Sequence, residues 1–278
     1  MKKRRIGFLC LIFLCMPLLL IEYGRKTSEN PKVRITFFNV GKGDAILIET
    51  KKHSVLIDTG YDDTSEIILN YMAERNMQRL DYMILTHFDK DHVGGADRIL
   101  EVVEVGEVLQ PDYESDNKQY LEYKETMKDK EKDAYLVTKT ESLTLDGVDF
   151  LIYPPQQKEY EVESNNFSLA ISMTYGSRSF LFAGDCEEER MDEILGQEEF
   201  GLLHDVLKMP HHGREEKNTV KFLEVVSPKI AVFTCPEEMP VNENIYKALE
   251  ELGTEIYLTG KGTITCLCDG DTLKIIQD

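Results

Sequence analysis

Four side chains with metal-binding chemistry lie within six positions at the end of a short apolar run. The run covers residues 82–85, and the polar segment that follows carries His87, Asp89, Asp91 and His92. A short apolar run of this kind indicates a buried strand, and open α/β folds bind ligands at the C-terminal ends of strands. Carboxylates crowded into so few positions repel one another unless a cation neutralises them. The segment therefore predicts a metal site at a strand tip.

The path of the backbone decides how many cations this segment can serve. In an extended loop, His87, Asp89 and Asp91 point to one side and His92 points elsewhere. That alternation predicts two ligand clusters and so two metal ions. Two glycines follow, and residues 96–103 predict a helix. The alternative is a polar loop whose acids cap that helix and whose histidines are solvated.

Two later motifs also follow apolar runs. Residues 179–183 lead into Asp185, and residues 206–209 lead into the adjacent pair His211 and His212. Asp185 can bridge two cations, although a carboxylate here can also cap the helix predicted to begin at residue 187. Adjacent histidines point in different directions, so we expect one to bind metal and the other to meet the substrate or orient a ligand.

The pattern of apolar runs predicts the fold class. Alternating or continuous apolar segments predict two β-rich halves, with a helix at residues 65–77 in the first. Two such halves with helices outside predict an α/β, four-layer αββα sandwich, while a three-layer arrangement stays open. The highly charged residues 112–139 are predicted to be a solvated helix or flap. The predicted strands are residues 33–38, 45–49, 54–57, 82–85, 150–153, 169–175, 179–183 and 206–209.

The first thirty residues have a different character from the rest. A basic stretch at residues 2–5 precedes an apolar run at residues 6–21, which is typical of a signal peptide or membrane anchor. Residues 1–30 are therefore predicted to be a signal or anchor with a short linker, and residues 31–278 one globular domain. No Ala-x-Ala-like site is present, so an uncleaved anchor is preferred to a cleaved signal. The positive-inside rule places the domain outside the cytoplasm.

The charge of the chain restricts its partners. The formal net charge is -19 at pH 7, and residues 1–30 hold six of the 32 Lys and Arg but only two of the 51 Asp and Glu. The globular domain is therefore more acidic than the whole chain, and its surface repels polyanions at long range. This argues against tight nonspecific DNA binding unless bound cations or a local basic strip draw the nucleic acid in.

The ordered set of these motifs resembles the metallo-β-lactamase superfamily, and most of all the hydrolase domain of the DNA-uptake protein ComEC and its stand-alone relatives. A His-x-Asp-x-Asp-His motif in place of the superfamily's usual His-x-His-x-Asp-His marks that branch. The resemblance covers roughly residues 32–275. The motifs that carry it are residues 39–44, Asp58-Thr59-Gly60, His87 to Gly95, Asn166-x-Ser168, Ala183-Gly184-Asp185 and Lys208 to Gly213.

The resemblance implies an αββα fold and two divalent metal ions, zinc or manganese. Carboxylate ligands in place of imidazole make manganese a serious rival to zinc. Asp91 is expected to bind metal, to orient the attacking water or to move its proton, and the histidine free of metal to protonate the leaving group. Asn166 or Ser168 lies near the place of the missing third superfamily histidine, and both are predicted to be catalytic residues with Asp91, His211 and His212. One ion is assigned to His87, Asp89 and Asp185, and the other to Asp91, His92, Asp185 and either His211 or His212.

The expected function is a metal-dependent hydrolase of phosphodiesters, with DNA among the candidate substrates, that is membrane-anchored or secreted on the extracytoplasmic side. No protein partner is implied. Two alternatives stay open: a hydrolase of cell-envelope phosphoesters of phosphorylcholine or teichoic-acid type, and a catalytically degenerate binding module. The second is motivated by departures from the branch, which usually has Ser where this chain has Arg214 and a Gly-His-Pro near residues 237–240. The carboxylate-rich site disfavours β-lactam hydrolysis.

Overall fold

The computed structural model of the protein describes residues 33–161, 163–197, 201–239 and 241–278. The predicted signal or anchor at residues 1–30 lies outside these ranges. Within them, every helix is too short or too polar to cross a bilayer.

The first sheet has eight strands and joins the two ends of the described chain. It is ordered β15-β14-β1-β2-β3-β4-β5-β6, with parallel pairing from β3 to β6 and antiparallel pairing elsewhere. Its strands are β1 (Val33–Phe37), β2 (Ile46–Glu49), β3 (Ser54–Ile57), β4 (Arg79–Ile84), β5 (Glu104–Pro111), β6 (Tyr135–Val137), β14 (Ile264–Cys268) and β15 (Leu273–Gln277).

The second sheet has seven strands in the order β13-β12-β11-β10-β9-β8-β7. Pairing is parallel from β10 to β13 and antiparallel from β7 to β10. Its strands are β7 (Glu141–Leu145), β8 (Val148–Tyr153), β9 (Ala170–Tyr175), β10 (Arg178–Phe182), β11 (Val206–Lys208), β12 (Ile230–Phe233) and β13 (Glu255–Leu258).

Three apolar clusters show how the layers pack. One lies between the sheets and is built from alternate residues of strands in both, such as Ile35, Phe150 and Phe180. A second joins the other face of the first sheet to α1, α3 and α4, and a third joins the second sheet to α6, α7 and α8. The prediction of a mixed α/β fold with two sheets and outer helices is therefore confirmed. The helices are α1 (Ser65–Glu74), α2 (Lys90–Val93), α3 (Ala96–Val102), α4 (Lys118–Asp129), α5 (Glu163–Asn166), α6 (Glu188–Leu195), α7 (Thr219–Val226) and α8 (Glu243–Leu252).

Helix α4 corrects one prediction. Residues 112–139 were expected to be solvated, yet Tyr120, Tyr123 and Met127 of α4 are buried in the outer cluster of the first sheet. The Tyr123 hydroxyl donates a hydrogen bond to Oε1 of Gln110 at 2.6 Å. The three side chains are three or four positions apart and so share one helix face, while the charged residues occupy the opposite face. The high charge of the segment concealed this apolar stripe.

Candidate metal centre

Strand tips from both sheets meet at one edge of the sandwich. In the first sheet, β3 is followed by Asp58 and β4 by residues 85–92; in the second, β10 is followed by Asp185 and β11 by His211 and His212. Backbone hydrogen bonds join the tips, including Leu169 N to Thr86 O at 2.9 Å across the sheets. Because neighbouring parallel strands end at the same edge, side chains distant in sequence are brought together there.

The four side chains Asp91, His92, Asp185 and His212 form the centre of this edge. All four are buried, and each offers one ligand atom within 4.8 Å of the others. Asp185 lies between the imidazoles, with Oδ1 3.2 Å from Nε2 of His92 and Oδ2 3.0 Å from Nε2 of His212. Nε2 of His212 is also 3.5 Å from Oδ2 of Asp91. The arrangement presents two nitrogens and two carboxylates around a common point.

The ring nitrogens of these histidines fit a divalent cation. In the described part of the chain, Nε2 of His92 and Nε2 of His212 are buried and make no hydrogen bond. Their opposite nitrogens are held, His92 Nδ1 at 2.8 Å from Oδ2 of Asp58 and His212 Nδ1 at 2.9 Å from Oγ1 of Thr234. Metal-binding histidines are typically fixed in this way through the second nitrogen. A cation held by these two nitrogens and the nearby Asp185 carboxylate would satisfy all three groups.

A hydrogen-bonded shell supports the ligands. Asp58 also accepts two hydrogen bonds from Thr86, one from the backbone N–H and one from the hydroxyl of Thr86, at 2.7 Å each. Thr234 Oγ1 donates to Oδ1 of Asp44 at 2.6 Å, which links the second sheet to the loop after β1. The buried Lys208 ammonium contacts Asp44 and lies 3.3 Å from Oδ1 of Asp185. These contacts fix the tautomer and direction of the imidazoles and orient the central carboxylate.

The charges of the centre shift its titration. Burial lowers the pKa of His92, but the carboxylates of Asp185 and Asp58 outweigh it and raise that pKa well above the usual range. Burial and Asp185 oppose each other in the same way at His212, whose pKa is also raised. Burial would raise the pKa of Asp185, but His212, His92 and Lys208 hold it well below the ordinary value. A cation that binds here therefore competes with protons for both imidazoles.

The other predicted cation site, assigned to His87, Asp89 and Asp185, is not assembled in the same way. His87 and Asp89 lie outside the cluster of ligand atoms found in the described residues, with His87 Nε2 3.9 Å from Oδ2 of Asp89. Nε2 of His87 is nevertheless buried without a hydrogen bond, and burial lowers the pKa of His87 to about 3. Asp89 is half-exposed and contacts Ser164 through its Oδ1. The condition of an extended loop holds only as far as Asp89, because α2 begins at Lys90 and turns Asp91 and His92 inwards.

The adjacent histidines have different surroundings, and only His212 joins the cluster. Both have left-handed backbone angles, with φ of 46° at His211 and 54° at His212. His211 has Nε2 3.9 Å from Oδ2 of Asp185 and Nδ1 3.3 Å from Oε1 of Glu187. Burial lowers the pKa of His211 to about 4, and the positive charges of Lys42 and Arg214 add to this effect. His211 is therefore a neutral imidazole at the rim of the centre.

Asn166 and Ser168, predicted as catalytic residues, contact the turn that carries Asp185. The hydroxyl oxygen of Ser168 accepts a hydrogen bond from Asp185 N at 3.1 Å, and Oδ1 of Asn166 accepts from Glu187 N at 3.0 Å. Their observed contacts hold the backbone of this turn in place.

The site contains further residues that were not assigned a role from the sequence. Asp58 and Asp44 each lie in a glycine-containing segment after a predicted strand, and Lys208 ends β11, so the rule that drew attention to Asp185 applies to them as well. Glu187 lies two positions after Asp185 and is distinguished only by its contact with His211. Thr234 had no signal in the sequence, because its role depends on the pairing of distant loops.

The comparison with protein families covers most of this site. The family model described as the Metallo-beta-lactamase superfamily matches residues 38–235.

Curated relatives and a solved structure agree with this match. ComE operon protein 3 of Bacillus subtilis is 24% identical over 259 residues, which cover 84% of this chain and 32% of that protein. Recombination protein 2 of Haemophilus influenzae is 28% identical over 261 residues, which cover 91% of this chain and 30% of that protein. The chain thus spans about a third of the length of these curated relatives. The metallo-beta-lactamase fold protein YhfI from Bacillus subtilis has a TM-score of 0.54 at 13% identity, covering 81% of this chain and 96% of that one. That likeness is one of fold.

Proposed function

Because this chain belongs to the metallo-beta-lactamase superfamily, we propose that it is a metal-dependent phosphodiesterase of nuclease type. In the proposed reaction, water attacks the phosphorus of a phosphodiester and an alcohol leaves. The curated relatives of ComEC type support this choice within a superfamily of varied substrates. The N-terminal sequence supports an extracytoplasmic location, either anchored in the membrane or secreted.

The convergence of Asp91, His92, Asp185 and His212 is the observation that carries the proposal. We propose that these residues hold one divalent cation and that His87 and Asp89 hold a second, with Asp185 shared between them. When bound, zinc or manganese would acidify water and stabilise negative charge on the phosphoryl oxygens.

The protein's own groups have distinct tasks in this proposal. Asp58 and Thr234 hold the imidazoles of His92 and His212 in one orientation. Lys208 contacts Asp185 and, after His212 and His92, helps to lower the pKa of its carboxylate. His211 stands beside the centre near Glu187, where its neutral imidazole can take a proton from the attacking water and then pass it to the departing alkoxide.

The acidity of the chain supports a second candidate, a hydrolase of cell-envelope phosphoesters. A formal net charge of -19 disfavours long polyanions and costs little for a zwitterionic substrate such as a phosphorylcholine ester.

The test begins with metal content. The full chain, purified in mild detergent, is stripped with a chelator, reloaded with Mn²⁺ or Zn²⁺ and measured by mass spectrometry. It is then assayed on bis(p-nitrophenyl) phosphate, a single-stranded oligodeoxynucleotide and p-nitrophenyl phosphorylcholine. We expect about two equivalents of metal and metal-dependent cleavage of the first two substrates.

Two variants make this test specific. Asp185→Asn should lower the rate by more than about 100-fold, which exceeds the loss typical of a residue that only supports a ligand. Asp129→Asn makes the same chemical change at an exposed position of α4 and should behave like the parent. Faster cleavage of the choline ester would favour the second candidate. Failure to retain metal after reloading would favour a binding module, and cleavage of none of the three substrates by the loaded protein would contradict the proposal.

A further inference from the structure

A cavity of about 470 Å³ opens beside the metal centre. His211 belongs to its wall, and Nε2 of His211 is 3.9 Å from Oδ2 of Asp185. A group bound in the cavity would therefore lie next to a phosphodiester at the centre. Lys42 and Arg214, whose charges act on His211, also line the cavity, and Met239 and Val241 supply apolar surface.

Lys42 is held against the centre by its backbone. The next residue, Gly43, packs so closely on the α2 segment that a Cβ atom there would lie 2.7 Å from the carbonyl oxygen of Asp91. The following residue, Asp44, donates its backbone N–H to the same oxygen at 3.0 Å. The position of Lys42 is therefore tied to a metal-ligand loop. Its side chain is half-buried, and in the part of the chain that the structure describes it has no ion pair.

Lys42 therefore presents a positive charge to the cavity that no carboxylate of the described residues neutralises at ion-pair distance. Such a charge in the wall of a cavity attracts an anionic ligand.

Arg214 provides a second positive charge in the wall of the cavity. It directly follows Gly213, and its side chain is 62% exposed. Its nearest carboxylate oxygens are long contacts, 3.8 Å to Glu187 and 3.4 Å to Glu216. The planar guanidinium can therefore turn towards a phosphate and bind two of its oxygens.

The remaining wall is mixed in character. Met239 and Val241 pack against the apolar cluster of the second sheet. Thioethers and branched side chains make favourable contacts with flat aromatic rings. Glu215 and Glu243 also line the cavity and would repel an anion, so the anion is expected to contact Lys42 and Arg214. The cavity thus offers one subsite that binds an anion and one apolar subsite.

We propose that this cavity binds the nucleotide adjacent to the scissile phosphodiester. Lys42 and Arg214 contact its phosphate, and Met239 and Val241 lie against its base. The substrate class is then a single-stranded oligonucleotide instead of a small isolated diester. This inference rests on the proposed function and names its substrate.

The experiment compares substrates that differ by one phosphate. The full chain, loaded with Mn²⁺, is assayed on TpT, pTpT, TpTp and bis(p-nitrophenyl) phosphate. We expect one of the two added phosphates to raise kcat/KM by at least about tenfold, since its hydrogen bonds to Lys42 and Arg214 would be charge-assisted. Lys42→Gln and Arg214→Ser should each remove most of that gain relative to bis(p-nitrophenyl) phosphate. Lys51→Gln, an exposed lysine on the turn between β2 and β3 at the opposite end of the strands, should keep it.

Salt dependence separates phosphate binding from a structural effect. For single strands, the slope of log affinity against log salt is steeper by about 0.7 for each phosphate that the protein neutralises. Lys42→Gln and Arg214→Ser should each reduce the slope for the oligonucleotide oligo(dT)₄ by about that amount, whereas a variant that only disturbs the fold would leave it unchanged.

The base is tested with abasic substrates. Replacing the adjacent thymidine unit by an abasic phosphate should lower kcat/KM, and Met239→Ala should shrink that difference. Equal rates on the two substrates would overturn the nucleotide assignment and indicate a polyol-phosphate polymer. If the added phosphate still raises kcat/KM in both Lys42→Gln and Arg214→Ser, or raises it in no variant and not in the parent, the proposed subsite is wrong. If no diester is cleaved, the proposed function fails, but the subsite can still be tested by the fluorescence anisotropy of labelled oligo(dT)₄. If Lys42→Gln and Arg214→Ser both leave the binding of this oligonucleotide unchanged, the inference is refuted.

Discussion

At the scale of single residues, the imidazoles of the centre depend on the groups that hold their second nitrogens. Asp58 is fully buried, adopts a left-handed backbone with φ of 55°, and contacts both His92 and Thr86. A non-glycine residue in this conformation is retained where the surrounding structure demands it. Its position after β3 places a carboxylate 2.8 Å from Nδ1 of His92, a contact that the nearby Asp89 and Asp91 do not supply.

Asp58→Asn should weaken metal binding by about 10- to 100-fold, as is typical when a ligating histidine no longer has its hydrogen-bond partner. The amide removes the negative charge that raises the pKa of His92 and offers only one acceptor oxygen to His92 and Thr86. Competition with a chelating dye measures the affinity. Asp129→Asn is the matched control, and equal affinity in the two variants would show that Asp58 does not act on the ligand.

His204 makes a different contribution, to the pH dependence of stability. It is buried, with Nε2 2.8 Å from Oγ of Ser172 and Nδ1 2.9 Å from the carbonyl oxygen of Leu202. Burial lowers its pKa below the usual 6.5, so the unfolded chain binds a proton more readily than the folded one. The stability that this neutral histidine contributes is therefore present above pH 6.5 and is lost as the pH falls below it.

Between pH 7.5 and 5.5, this effect should remove no more than about 1.4 kcal/mol from the free energy of unfolding. Urea unfolding of the parent and of His204→Gln at both pH values isolates it. The variant should be less stable at pH 7.5 but lose less on acidification. His53→Gln, at a part-exposed histidine, is the control, and identical pH dependence in parent and His204→Gln would refute the assignment.

At the scale of elements, the turn after β11 is the piece that fixes the histidine pair. Residues 211–213 have three successive positive φ angles, ending with 88° at Gly213. A Cβ at Gly213 would lie 2.3 Å from two ring carbons of Phe233, so the turn is packed directly on β12. The left-handed turn sends His212 towards Asp185 and His211 towards Glu187, which an extended path would not do.

Gly213→Ala should therefore destabilise the protein by more than backbone strain alone, which costs about 1–2 kcal/mol for a left-handed residue. Gly253→Ala is a matched control, because Gly253 has φ of 71° but nothing within 4 Å of its would-be Cβ. Chemical denaturation of both variants should show the larger loss at Gly213, together with weaker metal binding. Equal losses would mean that Phe233 moves aside without cost.

At the scale of the whole molecule, the metal centre joins the two sheets. Asp91 and His92 follow β4 of the first sheet, while Asp185 and His212 follow β10 and β11 of the second. The hydrogen bond from Thr234 to Asp44 adds a link between residues 190 positions apart. A cation bound at this edge stabilises only the folded arrangement, because the unfolded chain does not bring these ligands together.

Metal should raise the melting temperature. At a free concentration of 100 times Kd the gain is about 2.7 kcal/mol, or roughly 5–10 °C for a domain of this size. The gain should grow with pH, because the raised pKa values of His92 and His212 mean that protons must leave before a cation binds. Calorimetry with and without Mn²⁺ at two pH values measures this. Asp185→Asn should lose the gain, and a gain that persists there would place the ion elsewhere.

The sequence by itself determined the kinds of side chain at the site and the class of fold. Apolar runs ending in acids and histidines mark strand tips, because strand burial and ligand chemistry are both local properties of the chain. The strands that lead into the site, the helices that begin near residues 65, 96 and 187 and the motif at residues 87–95 follow from this, whereas α7 and α8 were not predicted. The apolar stripe of α4 was equally local, but its charged neighbours obscured it.

Only the tertiary structure decided which ligands meet. It selected His212 over His211, and it turned Asp91 and His92 inwards at α2. It also brought in the support from Asp58, Asp44 and Thr234. These contacts depend on distances between residues far apart in the chain. Those distances are set by how the two sheets pack and how the loops between them turn. Local residue patterns carry the chemistry of each group, whereas coordination requires several groups to reach one point in space, and only the packed fold brings them there.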